Sequence, residues 1–176
     1  RFFRVSLSKG RNIIPVRDEL EHVRNYLLIQ EMRYKNKFRY VIDCQPEAAD
    51  LSTIKLVVQP IVENAIYHSM DFMDGDGLIE IRAGTQDGLL TITVSDNGLG
   101  MPPEVVEGLL SQEPRPETSR RESGRKGSGI GLRNVQERIR LYFGPDYGVS
   151  IQSEPDEGTV VTLRMPAVPY GEMEDT

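Results

Sequence analysis

Three polar residues interrupt an otherwise apolar segment, PIVENAIYH, at positions 60–68. Asn64 and His68 are four residues apart and would share one face of a helix, whereas Glu63 would lie about 100° away around it. Mg²⁺ prefers oxygen ligands and usually keeps water and substrate phosphates in its shell, so a single Asn carbonyl oxygen can hold it. The pattern indicates Asn64 as a metal ligand beside His68. In the alternative interpretation, all three residues cap the helix or face solvent.

A second polar group, VSDNGLGM at positions 94–101, follows a run of strand-forming residues. A carboxylate at the end of a strand, Asp96, can accept a hydrogen bond from an exocyclic amino group, which distinguishes adenine from purines that carry oxygen there. Gly98 and Gly100 permit positive φ and let a flat ring approach the backbone. The alternative, a hairpin turn at the Asn-Gly pair, is disfavoured because two prolines soon follow and cannot begin an ordinary paired strand.

The third group is GSGIGLRNV at positions 127–135, in which glycines alternate and then lead into a helical pattern. Unobstructed N–H groups at a helix N-terminus form an anion site that suits phosphates. It is not a Walker loop, because no Gly-Lys-Ser/Thr follows. It is not the dinucleotide fingerprint either, because Leu132 stands where the last glycine of G-x-G-x-x-G belongs. A flexible hinge is the alternative, but the three groups together predict a nucleotide site.

Helices and strands that would position these groups follow from the hydrophobic pattern and from turn residues. An irregular lead-in should end at Pro15, PEAAD should form a turn, 71–77 a loop, and Pro60 a kink or local break within a long helix. The predicted helices are Asp18–Tyr34, Leu51–His68, Val105–Leu110 and Gly129–Tyr142, and the predicted strands are Phe38–Gln45, Ile79–Thr85, Leu89–Ser95, Val149–Ser153 and Thr159–Met165.

This element order predicts a mixed sheet with three helices over one face, an α/β (α+β) two-layer sandwich. Residues 111–127 carry two prolines and five basic residues without periodicity, so they are expected to form a lid or to be disordered. The tail YGEMEDT is expected to fray.

Composition narrows the class of protein. The 176 residues suffice for one domain with a helical arm, and no apolar run approaches the roughly 18 residues of a membrane span. The net charge of −6 argues against a broad nucleic-acid interface. The single cysteine, Cys44, cannot form an internal disulfide, which fits a buried thiol in a reducing compartment.

The segments PIVENAIYH, DNGLGM and GSGIGL resemble the N, G1 and G2 boxes of the GHKL ATPases, the family of gyrase, HSP90, histidine kinases and MutL. Within that family, ELEHVRNYLLIQEMRY and GLRNVQERIRLYFG look like the LytS/YesM-type sensor histidine kinases. The resemblance covers about residues 13–166. It implies the Bergerat fold, a mixed and mostly antiparallel sheet with an ATP lid.

The resemblance also implies roles for the matching positions. Asn64 would bind Mg²⁺ in an ATP site that includes His68, Asp96 would read the adenine amino group, and Glu63 would be the candidate catalytic base. The other residues implied to contact ATP or to shape its pocket are Gly98, Gly100, Met101, Gly127, Ser128, Gly129, Ile130, Gly131, Leu132 and Thr159.

The chain departs from the family pattern at two positions. Tyr67 stands where these kinases often have Lys, and Ser69 replaces a common Gly. A lid residue, among Arg115, Arg120, Arg121, Arg125 and Lys126, would then supply the missing positive charge. The only histidines are His22 and His68. His22 lacks the neighbours of a phosphoacceptor, so it is expected at the surface of the helix, and the acceptor histidine is expected upstream of this chain.

The resemblance implies a domain layout of dimerisation and connecting helix over residues 1–35, ATP-binding catalytic domain over 36–168 and tail over 169–176. The expected partners are ATP, the protein's own upstream phosphoacceptor helices, a response regulator and, in the full-length protein, a second copy, with no nucleic acid. The implied location is the cytoplasmic part of a membrane-anchored sensor. Alternatives are a serine protein kinase of the anti-sigma type, an ATP-gated clamp and a nucleotide sensor without phosphotransfer.

Overall fold

The computed structural model describes residues 12–111 and 128–173. In these residues one short 3-10 turn, Met70–Phe72, follows the third helix. The helices and strands occur in the order β1 (Ile13–Pro15), α1 (Val16–Arg33), β2 (Phe38–Cys44), α2 (Pro46–Ala49), β3 (Ser52–Ile54), α3 (Gln59–Ser69), β4 (Gly77–Gln86), β5 (Leu89–Asp96), α4 (Pro103–Leu110), α5 (Ser128–Phe143), β6 (Gly148–Glu154) and β7 (Gly158–Pro166).

Five strands form the main sheet in the order β2-β4-β5-β7-β6. The β2–β4 pair is parallel and the other three pairs are antiparallel, which confirms the predicted mixed sheet. Strands β4 and β5 are joined by a tight turn in which Asp87 and Gly88 have φ of 53° and 76°. Two successive positive φ angles mark the primed turn that matches strand twist, and this turn joins the predicted strands Ile79–Thr85 and Leu89–Ser95 as a hairpin.

One face of the sheet is buried beneath the helices. Along β4 every second residue is buried, as at Ile79 and Ile81, and the residues between them are partly or fully exposed. Burying each such side chain contributes about 1.5–3 kcal/mol. The helices supply the other half of this continuous core through Val23 and Leu27 of α1, Ile61 and Val62 of α3, and Val135 and Ile139 of α5. The two-layer architecture is therefore confirmed.

The predicted helix Leu51–His68 is wrong over nearly its first half, before Gln59. Strand β3 pairs antiparallel with β1 there, a turn follows, and α3 begins only at Gln59. The turn contains Leu56 with φ of +58°, a conformation that no helix interior allows. Pro60 lies in the first turn of α3, where its missing N–H costs nothing, so it produces a helix start and no kink.

Three smaller predictions also fail. The lead-in to Pro15 contains β1, and PEAAD contains the short helix α2. The tail does not fray through its first residues, because the Tyr170 N–H donates to the Asp50 carbonyl at 2.8 Å and the Ser52 N–H donates to the Val168 carbonyl at 2.7 Å.

The predicted lid falls almost entirely on residues 112–127, which lie outside the described residues. Among the described helices, none combines the length and apolarity that crossing a membrane requires.

Candidate nucleotide site

Part of the polar face of helix α3 lines a cavity. Asn64 and His68 both line this cavity, as their four-residue spacing predicts. The Asn64 side-chain nitrogen is buried and has no hydrogen-bond partner among the described residues. A buried amide without a partner is costly, and in a native structure such a group usually marks a missing ligand, ion or water. The Asn64 side chain therefore has a hydrogen-bond donor that the described residues leave unused.

The structure does not bring Glu63 to this cavity. Its side chain is exposed and accepts a hydrogen bond from Gln59 Nε2 at 3.1 Å. The charge of Glu63 acts instead on Tyr26 of α1, whose pKa is raised first by burial and then by Glu63. A general base must lie within hydrogen-bond reach of the proton it removes. Tyr67 is exposed as well, with its ring edge-on to the His68 ring at 5.1 Å.

Asp96 lies at the last position of β5 and lines the same cavity. Its Oδ1 accepts hydrogen bonds from Ser69 Oγ at 3.0 Å and from the Gly98 N–H at 2.9 Å. Burial raises the pKa of the Asp96 carboxyl, opposed by hydrogen bonds from Gly98, Ser69 and the Thr159 backbone. The two hydrogen bonds to Oδ1 fix the orientation of the carboxylate, so it can accept a hydrogen bond from an amino group in the cavity.

Gly98 and Gly100 are needed for contacts within the protein. Gly98 does not have positive φ, so that expectation is wrong, and a Cβ there would lie 2.0 Å from Ser69 Cβ. Gly98 thus makes room for Ser69, the residue that departs from the family pattern. Gly100 does have positive φ, +64°, and a Cβ there would lie 1.8 Å from the Glu154 carbonyl oxygen. Of the two glycines, only Gly100 also lines the cavity.

Ser153 contacts both Met101 and Thr159 through its hydroxyl group, and it is not among the site residues predicted from the sequence. The Met101 N–H donates to Ser153 Oγ at 2.9 Å, and Ser153 Oγ lies 2.8 Å from Thr159 Oγ1 and 2.9 Å from the Gly158 carbonyl oxygen. Both Met101 and Thr159 line the cavity. The β6–β7 hairpin therefore fixes the loop after β5, although these segments are more than 50 residues apart in the chain.

The first turn of α5 forms another wall through Leu132. A Cβ added at Gly131 would meet Asn64 Nδ2 at 3.9 Å and Pro60 Cβ at 4.0 Å, and one at Gly129 would meet its nearest atom at 3.6 Å. These are ordinary contact distances, so the described protein atoms do not require glycine at either position. Ile130 is 60% exposed and points away from the cavity. Gly127 and the Ser128 side chain lie outside the described residues.

The cavity is partly open to solvent. Its walls are mostly apolar with a few polar groups, which is the usual composition of a small-molecule site. Ser69 and several apolar residues were missed because their helical or strand spacing marks them only as core. The lining residues are Ile61, Asn64, Ala65, His68, Ser69, Val94, Asp96, Gly100, Met101, Leu109, Leu132, Ile151, Thr159 and Val161.

Residues 49–169 match the family described as histidine kinase-, DNA gyrase B- and HSP90-like ATPase. The chain belongs to this ATPase family. Residues 1–38 match a second family, described as histidine kinase. The cavity of the ATPase domain is bounded by the residues of all three sequence motifs, within the region that the ATPase family covers.

Similar proteins include the sensor histidine kinase YesM of Bacillus subtilis, 32% identical over 93% of this chain, and the sensor histidine kinase BtsS of Escherichia coli, 33% identical over 94%. The chain spans 26% of the length of each. Among solved structures, the catalytic domain of histidine kinase ThkA superposes with a TM-score of 0.65 at 19% identity, covering 90% of this chain and 100% of that one. The mycobacterial sensor histidine kinase MprB superposes with a TM-score of 0.63 at 18% identity, covering 91% of this chain and 99% of that one. The ATPase domain thus has the fold of histidine kinase catalytic domains.

Proposed function

We propose that this ATPase domain is the catalytic domain of a two-component sensor histidine kinase, which transfers the γ-phosphoryl group of ATP to a histidine outside this chain. The observation that carries the proposal is Asn64, whose buried side-chain nitrogen has no described protein partner and which lines the same cavity as the Asp96 carboxylate. One cavity thus offers an oxygen ligand for a hard cation and an acceptor for an exocyclic amino group.

The residues fit ATP in a definite orientation. Asp96 accepts the adenine amino hydrogen, and Met101 and Thr159 line the part of the cavity next to it. Asn64 is the ligand for Mg²⁺, which when bound neutralises charge on the phosphates. The phosphates lie against the first turn of α5, where backbone N–H groups at a helix N-terminus favour anions. Gly129 and Gly131 fit this assignment because no described protein contact requires them.

Remaining site residues have subsidiary roles in the proposal. His68 lies one turn beyond Asn64 on the same cavity wall, Gly98 and Gly100 shape the loop beside the base, and Leu132 packs against the ligand. We assign no base to Glu63, because its carboxylate lies outside the cavity. In phosphoryl transfer, positioning and charge stabilisation supply most of the catalysis, so a domain that holds ATP correctly needs little further chemistry.

In this proposal the acceptor of the phosphoryl group lies outside this chain, because His22 lacks the neighbours of a phosphoacceptor and His68 lines the cavity. Its two histidines are His22 and His68. His22 is exposed on α1, as expected, and His68 lines the cavity. We therefore propose that residues 1–35 continue an upstream dimerisation region that carries the acceptor, that 36–168 form the catalytic domain, and that 169–176 form a short tail.

The proposed partners follow from this layout. They are the protein's own phosphoacceptor helices, a cognate response regulator and a second copy in the full-length protein, with no role for nucleic acid. We place the domain in the cytoplasmic part of a membrane-anchored sensor, in keeping with the names of its relatives, which are sensor kinases.

The decisive experiment mixes the chain with ATP, Mg²⁺ and a separate polypeptide that carries the upstream segment. We expect phosphate on that polypeptide that is labile in acid and stable in base, as phosphohistidine is. The Asn64→Ala variant should abolish the transfer and serves as the control. Acid-stable phosphate would favour a serine kinase, and ATP binding without any transfer would favour an ATP-gated switch or a nucleotide sensor. Either result would overturn the histidine kinase assignment.

A further inference from the structure

Glu19 of α1 is a fully buried carboxylate far in sequence from all three nucleotide motifs. Its exposure is 0%, and it does not line the cavity. Its two oxygens accept hydrogen bonds from the backbone N–H groups of Leu56, Val57 and Val58 at 2.9, 2.9 and 3.0 Å. A buried charge is tolerated only when it is paired or well hydrogen-bonded. The turn between β3 and α3 supplies these hydrogen bonds.

The same turn is held from its other side by α5. Arg138 donates from its guanidinium to the carbonyl oxygens of Lys55 at 2.6 Å and Leu56 at 3.1 Å. Burial lowers the pKa of Arg138, while Tyr142 and Glu19 raise it. Leu56, between the two charged groups, has φ of +58°. A leucine adopts this conformation only where its surroundings hold it there.

This arrangement determines where α3 begins. Val58 is the N-cap residue of α3 and provides no side-chain cap, and the Glu19 carboxylate accepts hydrogen bonds from the N–H groups of Val58 and of the two residues before it. A negative charge near a helix N-terminus is also favoured by the helix dipole. Asn64 follows on the same rigid helix, and the Gly131 position on α5 faces both Asn64 and Pro60. Contacts to the turn thus set α3 relative to α5, the two walls between which the phosphates are proposed to lie.

We infer that Glu19 is a positioning residue for Asn64 and, with Arg138, ties the geometry of the metal end of the site to the position of α1. The inference rests on the proposed function of Asn64 as the Mg²⁺ ligand. Glu19 belongs to the region 1–38 that matches the second family, whereas the turn, Asn64 and Arg138 belong to the ATPase region 49–169. A displacement of α1 would therefore change Mg²⁺-dependent binding without touching the adenine pocket.

The test measures ATP affinity by calorimetry, once with Mg²⁺ and once with excess EDTA, in the wild-type chain and in Glu19→Gln. Gln keeps the length of the side chain, loses the charge and can accept at only one oxygen. We expect the gain in affinity that Mg²⁺ confers to fall by about 10- to 100-fold, as when partners that orient a metal ligand are removed, while the affinity in EDTA stays unchanged. Glu21→Gln, exposed on the same helix, should match the wild type.

The outcomes separate positioning from mere structural support. Urea curves give the folded fraction of each variant, and a purely structural role would lower the free energy of unfolding while leaving the Mg²⁺ gain of the folded protein intact. That result would overturn the inference. If the wild-type chain itself shows no Mg²⁺ gain, the proposed metal role of Asn64 fails instead.

A second pair of variants keeps the test decisive should Glu19→Gln fail to fold. Arg138→Met leaves the carboxylate in place and removes the carbonyl contacts on the other side of the turn. Arg140→Met, exposed two residues further along α5, is its matched control. We expect Arg138→Met to lose part of the gain in ATP affinity that Mg²⁺ confers and Arg140→Met to keep it. If both variants keep the full gain, the inference is overturned.

Discussion

Replacing Gly131 by alanine should separate ligand binding from stability. A methyl group there would lie 3.9 Å from Asn64 Nδ2 and 4.0 Å from Pro60 Cβ, so the protein accommodates it without a clash. Gly131 lies within α5, and alanine in place of a helical glycine stabilises a protein by about 0.5–1 kcal/mol. We therefore expect the free energy of unfolding in urea, measured without nucleotide, to stay constant or rise by about that amount.

The same methyl group enters the space beside the Asn64 amide, where we place the phosphates and Mg²⁺. Overpacking a filled site typically costs about 1–3 kcal/mol. A loss of that size weakens binding by about 5- to 150-fold. Calorimetric titration with ATP and Mg²⁺ measures it directly. The expected pattern is thus a protein at least as stable as the wild type that binds ATP at least several-fold more weakly.

Asn134→Ala is the matched control, because Asn134 is exposed on the same helix and away from the cavity. It should also gain stability through helix propensity, by about 0.5 kcal/mol, yet keep the wild-type affinity for ATP. Unchanged ATP affinity in Gly131→Ala would refute the phosphate placement. A large loss of stability in that variant would refute the argument that described protein contacts do not require this glycine.

Two further predictions concern the adenine end of the site. Burial raises the pKa of the Asp96 carboxyl in the folded protein. Its contribution to the free energy of unfolding is therefore fully present below the ordinary pKa of the carboxyl and is lost as pH rises through the raised pKa. Asp96→Asn should therefore be at least as stable as the wild type in urea at neutral pH, yet bind ATP far more weakly in calorimetry; undiminished ATP affinity would exclude Asp96 from the pocket. Gly98→Ala should destabilise the chain by about 1–3 kcal/mol through its clash with Ser69, and adding Ser69→Gly should restore much of the loss. Strictly additive effects in that double-mutant cycle would contradict the contact.

The three polar groups led to the site because each carries its chemistry within a few residues of sequence. Asn64 and Asp96 line one cavity, and Leu132 of the third group lines it as well, whereas Gly129 and Gly131 are not among its lining residues. Ser153 and Glu19 could not be found this way. The contacts that give them their roles, from Met101 to Ser153 and from Leu56 to Glu19, join segments about 40 or more residues apart, and Ser and Glu residues at exposed strand or helix positions look no different in sequence.

The error at Leu51–His68 has a specific cause. A short buried strand and a buried helix are both continuous apolar runs, and periodicity cannot separate them. The break between β3 and α3 depends on Leu56 in a left-handed conformation, which contacts from Glu19 and Arg138 stabilise and which no local residue type signals. Pro60 did mark the boundary, because proline favours the first turn of a helix, whereas the sequence pattern places it inside a longer helix as a kink or local break.

The position of β7 in the sheet has a consequence for biosynthesis. Strand β5 pairs on one side with β4, its neighbour in sequence, and on the other side with β7, the last strand of the described chain. During translation, β5 therefore presents an unpaired edge for more than 60 residues, the state in which nascent sheets are prone to aggregate. Thr159 pairs with Asp96 in that last step. The end of the cavity at which we propose that adenine binds is thus completed only when β7 pairs with β5, so a nascent chain that lacks β7 also lacks this part of the site.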